Sequence, residues 1–345
     1  MKKIGMSHGS TRMMSKAQRN TFKDELPNNK TAAKVFPKIL GTGSCVPDKI
    51  LTNEYLASRV ETDPAWIERN LGIRQRRVVH KGMLTSDLAT TAARRALEQA
   101  ELRATDIDLL IVATATPDRK APSTACFVQN NLGAVNAAAF DMNAVCSGFL
   151  YAMAVASQFI YSGAMKHILI IGADTFSTIT DWDRRDCVFF GDGAGAVVLS
   201  RSNEPRGLFA SKIYADGSGH DNFTVFPDAR YFSMNGRAVY EKGTTVLPIA
   251  IRSILEENSL SVSDVDWIVP HQPSIAILKK TAEILGAPFE KMCTNMDRYA
   301  NTSSATIPLV LDEAHRGGRF KRGDILVFAA VGSGWTWGAA VYRWI

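Results

Sequence analysis

At 345 residues the chain exceeds one typical domain and can bury about three quarters of its unfolded surface, so neither disulfides nor a metal is needed to hold it. Its five cysteines (Cys45, Cys126, Cys146, Cys187 and Cys293) are odd in number and scattered, with no Cys-x-x-Cys pair and no histidine at ligand spacing, which argues against a zinc site and a disulfide framework. The net charge of +6 does not point to nucleic acid, because residues 1–38 carry nine Lys or Arg against two acidic residues and hold more than the whole excess.

The basic segment, residues 1–37, is polar and without apolar periodicity, and is predicted to be a disordered extension. The chain has no apolar run of about 18 residues and its first residues lack a secretory apolar stretch, so a cytoplasmic protein with no membrane partner is expected. Beyond the extension, two halves are predicted, 38–205 and 206–345. Leu97, Glu98, Leu102, Asp106 and Asp108 recur as Leu255, Glu256, Leu260, Asp264 and Asp266, each 158 residues later. Both copies read as a helix, a Ser/Thr-Asp-x-Asp turn and a short apolar strand, Leu109 to Ala113 and Trp267 to Pro270. Two further apolar runs, from His167 and from Asp324, have the continuous character of strands covered on both faces. The pattern is that of a duplicated α/β unit.

Ligands of open α/β sheets bind beyond the carboxyl ends of strands. Cys146 opens a predicted buried helix, where the positive end of the macrodipole is expected to lower a thiol pKa; taken alone, a cysteine among small apolar residues is more often a packing residue. His271 follows the Trp267 strand directly and is the best placed of six histidines, although a lone strand-end histidine is more often structural. Asn301 lies in a polar segment entering the apolar stretch Ala305 to Leu311, and its counterpart at the 158-residue offset is Asn143, three residues before Cys146. The equivalent loops of the two halves are thus expected to meet at one pocket. Gly191-Asp-Gly-Ala-Gly runs into a strand without a following Lys-Ser/Thr, so it reads as a close-approach turn and not a phosphate loop. The loop of Gly332, Ser333 and Gly334 follows a strand and fits either an oxyanion hole or a plain turn.

Eight ordered motifs give this chain a wider resemblance: Gly41-Thr-Gly-Ser-Cys-Val-Pro, Trp66 with Gly72-Ile-Arg, Pro122-Ser-Thr-Ala-Cys, Ala144-Val-Cys-Ser-Gly-Phe, Phe190-Gly-Asp-Gly-Ala-Gly-Ala, Val269-Pro-His-Gln, Asp297-Arg-Tyr-Ala-Asn-Thr-Ser-Ser and Thr336-Trp-Gly-Ala. From about Ile39 to Trp344 it resembles the β-ketoacyl-acyl-carrier-protein synthase III family of thiolase-fold condensing enzymes. The resemblance implies a layered α-β-α-β-α core, a homodimer, and catalytic residues at Cys146, His271 and Asn301. It implies acyltransferase chemistry in fatty-acid or polyketide-type biosynthesis. Cys146 would take an acyl group from a coenzyme A or acyl-carrier-protein thioester, and decarboxylation of a malonyl thioester would supply the enolate that attacks it. No metal or redox cofactor is implied. Thr62, Trp66 and Arg184 match positions that contact the coenzyme A nucleotide.

Four positions depart from the family pattern. Asn70 replaces a basic residue, Ser274 and Ala276 stand where Asn and Arg are usual, and Ser333 is the middle of a familiar triple glycine. Arg69 and Arg185 are expected to supply compensating charge. Ala121 occupies a position where short-chain members carry Phe closing the neighbouring subunit's acyl pocket, so a starter larger than acetyl is expected, unless Trp335 or Phe127 fills the space. Two rival functions remain at this stage: an acyltransferase that passes the acyl group to an alcohol or amine without decarboxylation, and a Cys-His-Asn hydrolase.

Overall fold

The computed structural model describes residues 35–204 and 209–345. Its elements are β1 (Phe36–Cys45), β2 (Lys49–Thr52), α1 (Asn53–Ala57), α2 (Pro64–Leu71), β3 (Gln75–Val78), α3 (Thr85–Gln99), β4 (Leu109–Ala113), α4 (Thr124–Leu132), β5 (Ala138–Met142), α5 (Gly148–Tyr161), β6 (His167–Thr175) and β7 (Asp192–Ser202). They continue with β8 (Phe209–Ala215), β9 (Phe223–Thr224), β10 (Ser233–Met234), α6 (Gly236–Glu257), β11 (Trp267–Pro270), α7 (Ile275–Leu285), α8 (Met296–Tyr299), α9 (Thr306–Arg316), β12 (Ile325–Gly332) and β13 (Thr336–Arg343).

A five-stranded sheet has the order β1-β7-β6-β4-β5, with β6, β4 and β5 parallel and β7 antiparallel to both its neighbours. A four-stranded sheet has the order β11-β12-β13-β8, with β11 and β12 parallel. The two-residue period of a strand sends alternate side chains to opposite faces, and both faces of these strands are covered. In β4, Leu109, Ile111 and Ala113 face a cluster containing Phe149, Leu150 and Met153 of α5 and Ile307 and Leu311 of α9. Leu110 and Val112 face Leu88, Ala92 and Ala96 of α3 with Val128 of α4. In β12, Leu326, Phe328 and Ala330 join the α5 and α9 cluster, while Ile325, Val327, Ala329 and Val331 meet Leu247, Ile251 and Ile254 of α6 and Ile277 of α7. The layers are therefore α3 and α4, sheet, α5 and α9, sheet, α6 and α7, the α-β-α-β-α arrangement of the thiolase fold. Being covered on both sides is why these strands read as unbroken apolar runs.

The 158-residue spacing extends through the elements. β4 and β11 begin at Leu109 and Trp267, β6 and β12 at His167 and Ile325, and α5 and α9 at Gly148 and Thr306. The expected helix at Cys146 begins slightly later than the sequence suggested, because Val145–Ser147 form a 3₁₀ turn that runs into α5. The expected extension ends earlier, since β1 already pairs Phe36 with Ser202. Residues 1–34, most of that extension, lie outside the described residues, as do residues 205–208, where the boundary between halves was expected.

Candidate active site

The site is built where two equivalent turns meet. Val145–Ser147 precedes α5, and Ser303–Ala305, also a 3₁₀ turn, precedes α9. Val145 and Ser303 have φ of +47° and +53°, a left-handed conformation rare for residues other than glycine. An asparagine two residues upstream closes each turn: Val145 N–H donates to Asn143 Oδ1 at 3.2 Å, and Ser303 N–H to Asn301 Oδ1 at 2.8 Å. Behind the second turn, the buried Asp174 carboxylate at the end of β6 accepts from Thr114 Oγ1, the Ala115 and Thr116 N–H groups, Thr116 Oγ1, Ser304 N–H and Ser304 Oγ. Those six donors bind the ends of β4 and β6 to the turn.

Cys146, His271 and Asn301 are brought together on the wall of one cavity of about 560 Å³. All three are nearly inaccessible, at 8%, 1% and 6% exposure. Cys146 Sγ lies 3.7 Å from Ser303 Oγ. His271, at the end of β11, has Nδ1 2.7 Å from Thr306 Oγ1, and the Thr306 hydroxyl is also 2.9 Å from the Ser303 carbonyl. Nδ1 is thereby engaged and Nε2 is the ring nitrogen left for a ligand. Asn301 is pinned through its backbone, its N–H donating to Phe189 O at 3.1 Å and its carbonyl accepting from Gly191 N–H at 3.0 Å. With its Oδ1 held by Ser303, the Asn301 amide presents its NH₂ group. Gly191 allows this approach, since a Cβ there would stand 2.4 Å from Tyr299 O. The glycine motif is thus a close-approach turn that holds Asn301.

Burial controls the electrostatics. It pushes the Cys146 thiol up to about 12, with the Ser303 contact acting in the opposite direction. The lowered thiol expected from the helix terminus is therefore corrected: desolvation of the buried thiolate outweighs its hydrogen bonds. Burial also depresses His271 to about 3, opposed by a contact with the Ser303 backbone, so the imidazole is neutral at physiological pH.

Around these groups the cavity is lined by Phe189, Phe190, Phe223, Met234, Tyr240 and Trp335, among others. Gly332 and Ser333 line it too, whereas Gly334 does not. A Cβ on Gly332 would come within 2.9 Å of Ser147 N, so glycine lets the loop backbone reach the nucleophile turn. Ser333 Oγ donates to Phe223 O. Trp66 and Asn70 stand at one end of this cavity, and a second hollow of about 510 Å³, lined by Trp66, Arg184 and Arg185, shares Trp66, Phe189, Met234 and Gly236 with it. The Arg185 guanidinium sits over the Trp66 ring at 4.9 Å, and Arg184 pairs with Asp186 at 2.8 Å. Thr62 lines neither space, and its hydroxyl is buried without a partner. Arg69 is exposed. Ser274 lines the cavity and caps α7, accepting from Ile277 N–H at 3.3 Å, so that departure preserves the turn. Ala276 leaves the wall apolar. Ala121 is exposed and lies outside both spaces.

Ser303, Thr306 and the phenylalanine wall were not singled out from sequence. The available signal was the run Asn301-Thr-Ser-Ser-Ala-Thr306, whose polar members are all buried at 6% exposure or less.

The family model for the 3-oxoacyl-[acyl-carrier-protein] synthase III C terminal matches residues 255–344, and that for 3-oxoacyl-[acyl-carrier-protein] synthase III matches residues 140–217. Among relatives, the chain is 48% identical over 318 residues to a β-ketoacyl-[acyl-carrier-protein] synthase III of Thiobacillus denitrificans, covering 90% of this chain and 99% of the relative. Its fold superposes on a 3-oxoacyl-[acyl-carrier-protein] synthase III from Aquifex aeolicus with a TM-score of 0.87 at 41% identity, over 89% of this chain and 100% of that one. The priming β-ketosynthase of the R1128 polyketide pathway superposes with a TM-score of 0.86 at 30% identity, over 92% and 99% of the two chains. The chain belongs to the 3-oxoacyl-[acyl-carrier-protein] synthase III family of condensing acyltransferases.

Proposed function

We propose that this enzyme joins an acyl group held on Cys146 to the carbanion of a decarboxylated malonyl thioester, with His271 and Asn301 stabilising the enolate. The observation that carries the assignment is the convergence of these three side chains on one cavity. In the first half-reaction, Cys146 sulfur attacks the acyl thioester carbonyl and the donor thiol leaves with the proton. In the second, malonyl loses carbon dioxide, and negative charge develops on its thioester oxygen. The Asn301 NH₂ group, fixed because its oxygen accepts from Ser303 N–H, donates to that oxygen. Neutral His271 donates from Nε2 in the tautomer that carries its proton there, with the Thr306 hydroxyl turned from the Ser303 carbonyl to donate a hydrogen bond to Nδ1. Preorganised donors in a water-poor site are the main source of such stabilisation. The enolate carbon then attacks the acyl carbonyl, and the 3-oxoacyl thioester departs as the Cys146 sulfur leaves. Backbone N–H groups at Cys146 and at Gly332 and Ser333, the loop residues that line the cavity, serve the tetrahedral oxyanions.

The Trp66 and Arg185 stack, with Arg184 lining the same hollow, suits the anionic carrier of a thioester, coenzyme A or an acyl carrier protein; Thr62, its hydroxyl buried outside that hollow, is not part of this surface. The reaction as written consumes thioesters alone and uses no metal or redox cofactor. The reading includes a homodimer in which Ala121 of each copy borders the other's acyl site, a cytoplasmic location, and a starter larger than acetyl. Among the described residues no helix is long and apolar enough to cross a membrane. The duplication also belongs to this reading, supported by the recurrence of turns and helices at one offset. The assignment is tested by following the two half-reactions separately: acylation of the protein by mass, and release of carbon dioxide from malonyl thioester by the acylated enzyme. Release of free acid from acyl donor alone, at a rate matching turnover, would favour a hydrolase.

A further inference from the structure

The geometry points to Ser303 as the positioning residue of the site, its hydroxyl serving as the hydrogen-bond donor to the Cys146 thiolate during acyl transfer. The inference rests on Cys146 being the acyl carrier. Three groups of one residue meet three different partners. Ser303 N–H holds the Asn301 amide oxygen at 2.8 Å. Its carbonyl accepts from Thr306 Oγ1, the atom facing His271 Nδ1. Its Oγ stands 3.7 Å from Cys146 Sγ, within hydrogen-bonding range for sulfur.

That division assigns separate tasks to backbone and side chain. The backbone, held at φ +53°, orients the pair that stabilises the enolate. The hydroxyl faces the nucleophile. Ser303 is completely buried, while its neighbour Ser304 spends its own hydroxyl on Ala113 O and Asp174. In the resting enzyme the thiol donates to Ser303 Oγ. When the thiol proton is lost, rotation about the Cβ–Oγ bond lets the hydroxyl donate to sulfur instead, with no heavy atom moving. A buried thiolate without such a donor carries its full desolvation penalty, and a hydrogen bond to a charged group is worth about tenfold or more in an equilibrium.

Ser303→Ala removes the hydroxyl and keeps both backbone contacts; Ser303→Gly does the same and also relieves the positive φ. The experiment measures alkylation of Cys146 by iodoacetamide against pH, localised by peptide mass, together with self-acylation by an acyl thioester. Malonyl thioester decarboxylation is then measured on enzyme acylated to completion. Both variants are expected to alkylate and acylate Cys146 about tenfold more slowly at neutral pH, with the pH–rate profile displaced upward by about one unit. Decarboxylation by the acylated enzyme is expected to stay within about twofold of the unmodified protein. An unchanged pH–rate profile in Ser303→Gly, or an equal fall in both half-reactions, overturns the inference. Acyl uptake by a Cys146→Ala control would instead overturn the underlying assignment of the nucleophile, so the two failures are distinct.

Discussion

Val145 and Ser303 are counterparts 158 residues apart, each held at positive φ by an asparagine two residues upstream and each opening the turn that leads into a central helix. The first turn presents the sulfur of Cys146; the second presents Asn301 before it and Thr306 after it. One local design, used twice, thus supplies the nucleophile from one half and the donors to the enolate from the other.

The division of labour predicts how variants separate. His271→Ala and Asn301→Ala are each expected to retain substantial self-acylation while malonyl decarboxylation falls about 10²-fold or more, the scale of losing one oxyanion donor. Rapid-quench measurement of the two half-reactions checks this. Equal losses in both steps would remove the assigned roles.

The buried Asp174 carboxylate holds the second turn with six donors. Asp174→Ala leaves those donors without a charged acceptor in a closed space and is expected to cost about 3 kcal/mol or more in urea denaturation. The variant is also expected to slow both half-reactions, because Ser304 and the adjoining Ser303 lose their anchor. A stability change below about 1 kcal/mol would show that the network is dispensable.

Parts of the architecture are plain in the sequence for a physical reason. Strands β4, β11 and β12 and the Ile168–Ala173 stretch of β6 are covered on both faces and so read as continuous apolar runs, and the 158-residue repeat survives in residues that end helices and open strands. The positive φ of Val145 and Ser303 was not legible, because neither residue is glycine and tertiary contacts impose the conformation. Nor was the balance at Cys146: the helix terminus was visible, but the burial that raises its pKa comes only with folding, which gathers residues distant in sequence around the cavity that Cys146 lines. The early start of β1 is not legible in the sequence because Phe36 and Pro37 sit beside a basic, polar segment and gain their partners only from β7.

His271 makes a pH prediction. Its folded pKa of about 3 lies below the ordinary value of 6.5, so between these pH values the unfolded chain binds the additional proton. This contribution to stability is present above about pH 6.5 and is lost as pH falls toward 3. His271→Asn lacks the titration. The stability advantage of the unmodified protein over this variant is expected to shrink by about 2 kcal/mol between pH 8 and pH 5, as measured by denaturant midpoints. Parallel stability curves would contradict a buried neutral imidazole.

Ala121 addresses starter size. A methyl group in place of a phenylalanine ring leaves room for several methylenes if a second copy brings Ala121 to the acyl site, and each methylene buried contributes roughly 0.8 kcal/mol. Octanoyl or longer donors are expected to acylate the enzyme in preference to acetyl, and Ala121→Phe to reverse that order. Trp335 already lines the cavity, whereas Phe127 lies outside it under Arg119, so Trp335 is the residue able to fill the space instead. Acetyl preference in the native enzyme, unchanged by Ala121→Phe, would assign it that role.

The central claim is that Cys146 carries the acyl group, and intact-protein mass spectrometry after incubation with a panel of acyl thioesters tests it most directly. The native enzyme is expected to gain the mass of one acyl group, mapped to the peptide containing Cys146, and Cys146→Ala to gain none. An undiminished mass increase in Cys146→Ala would contradict the account.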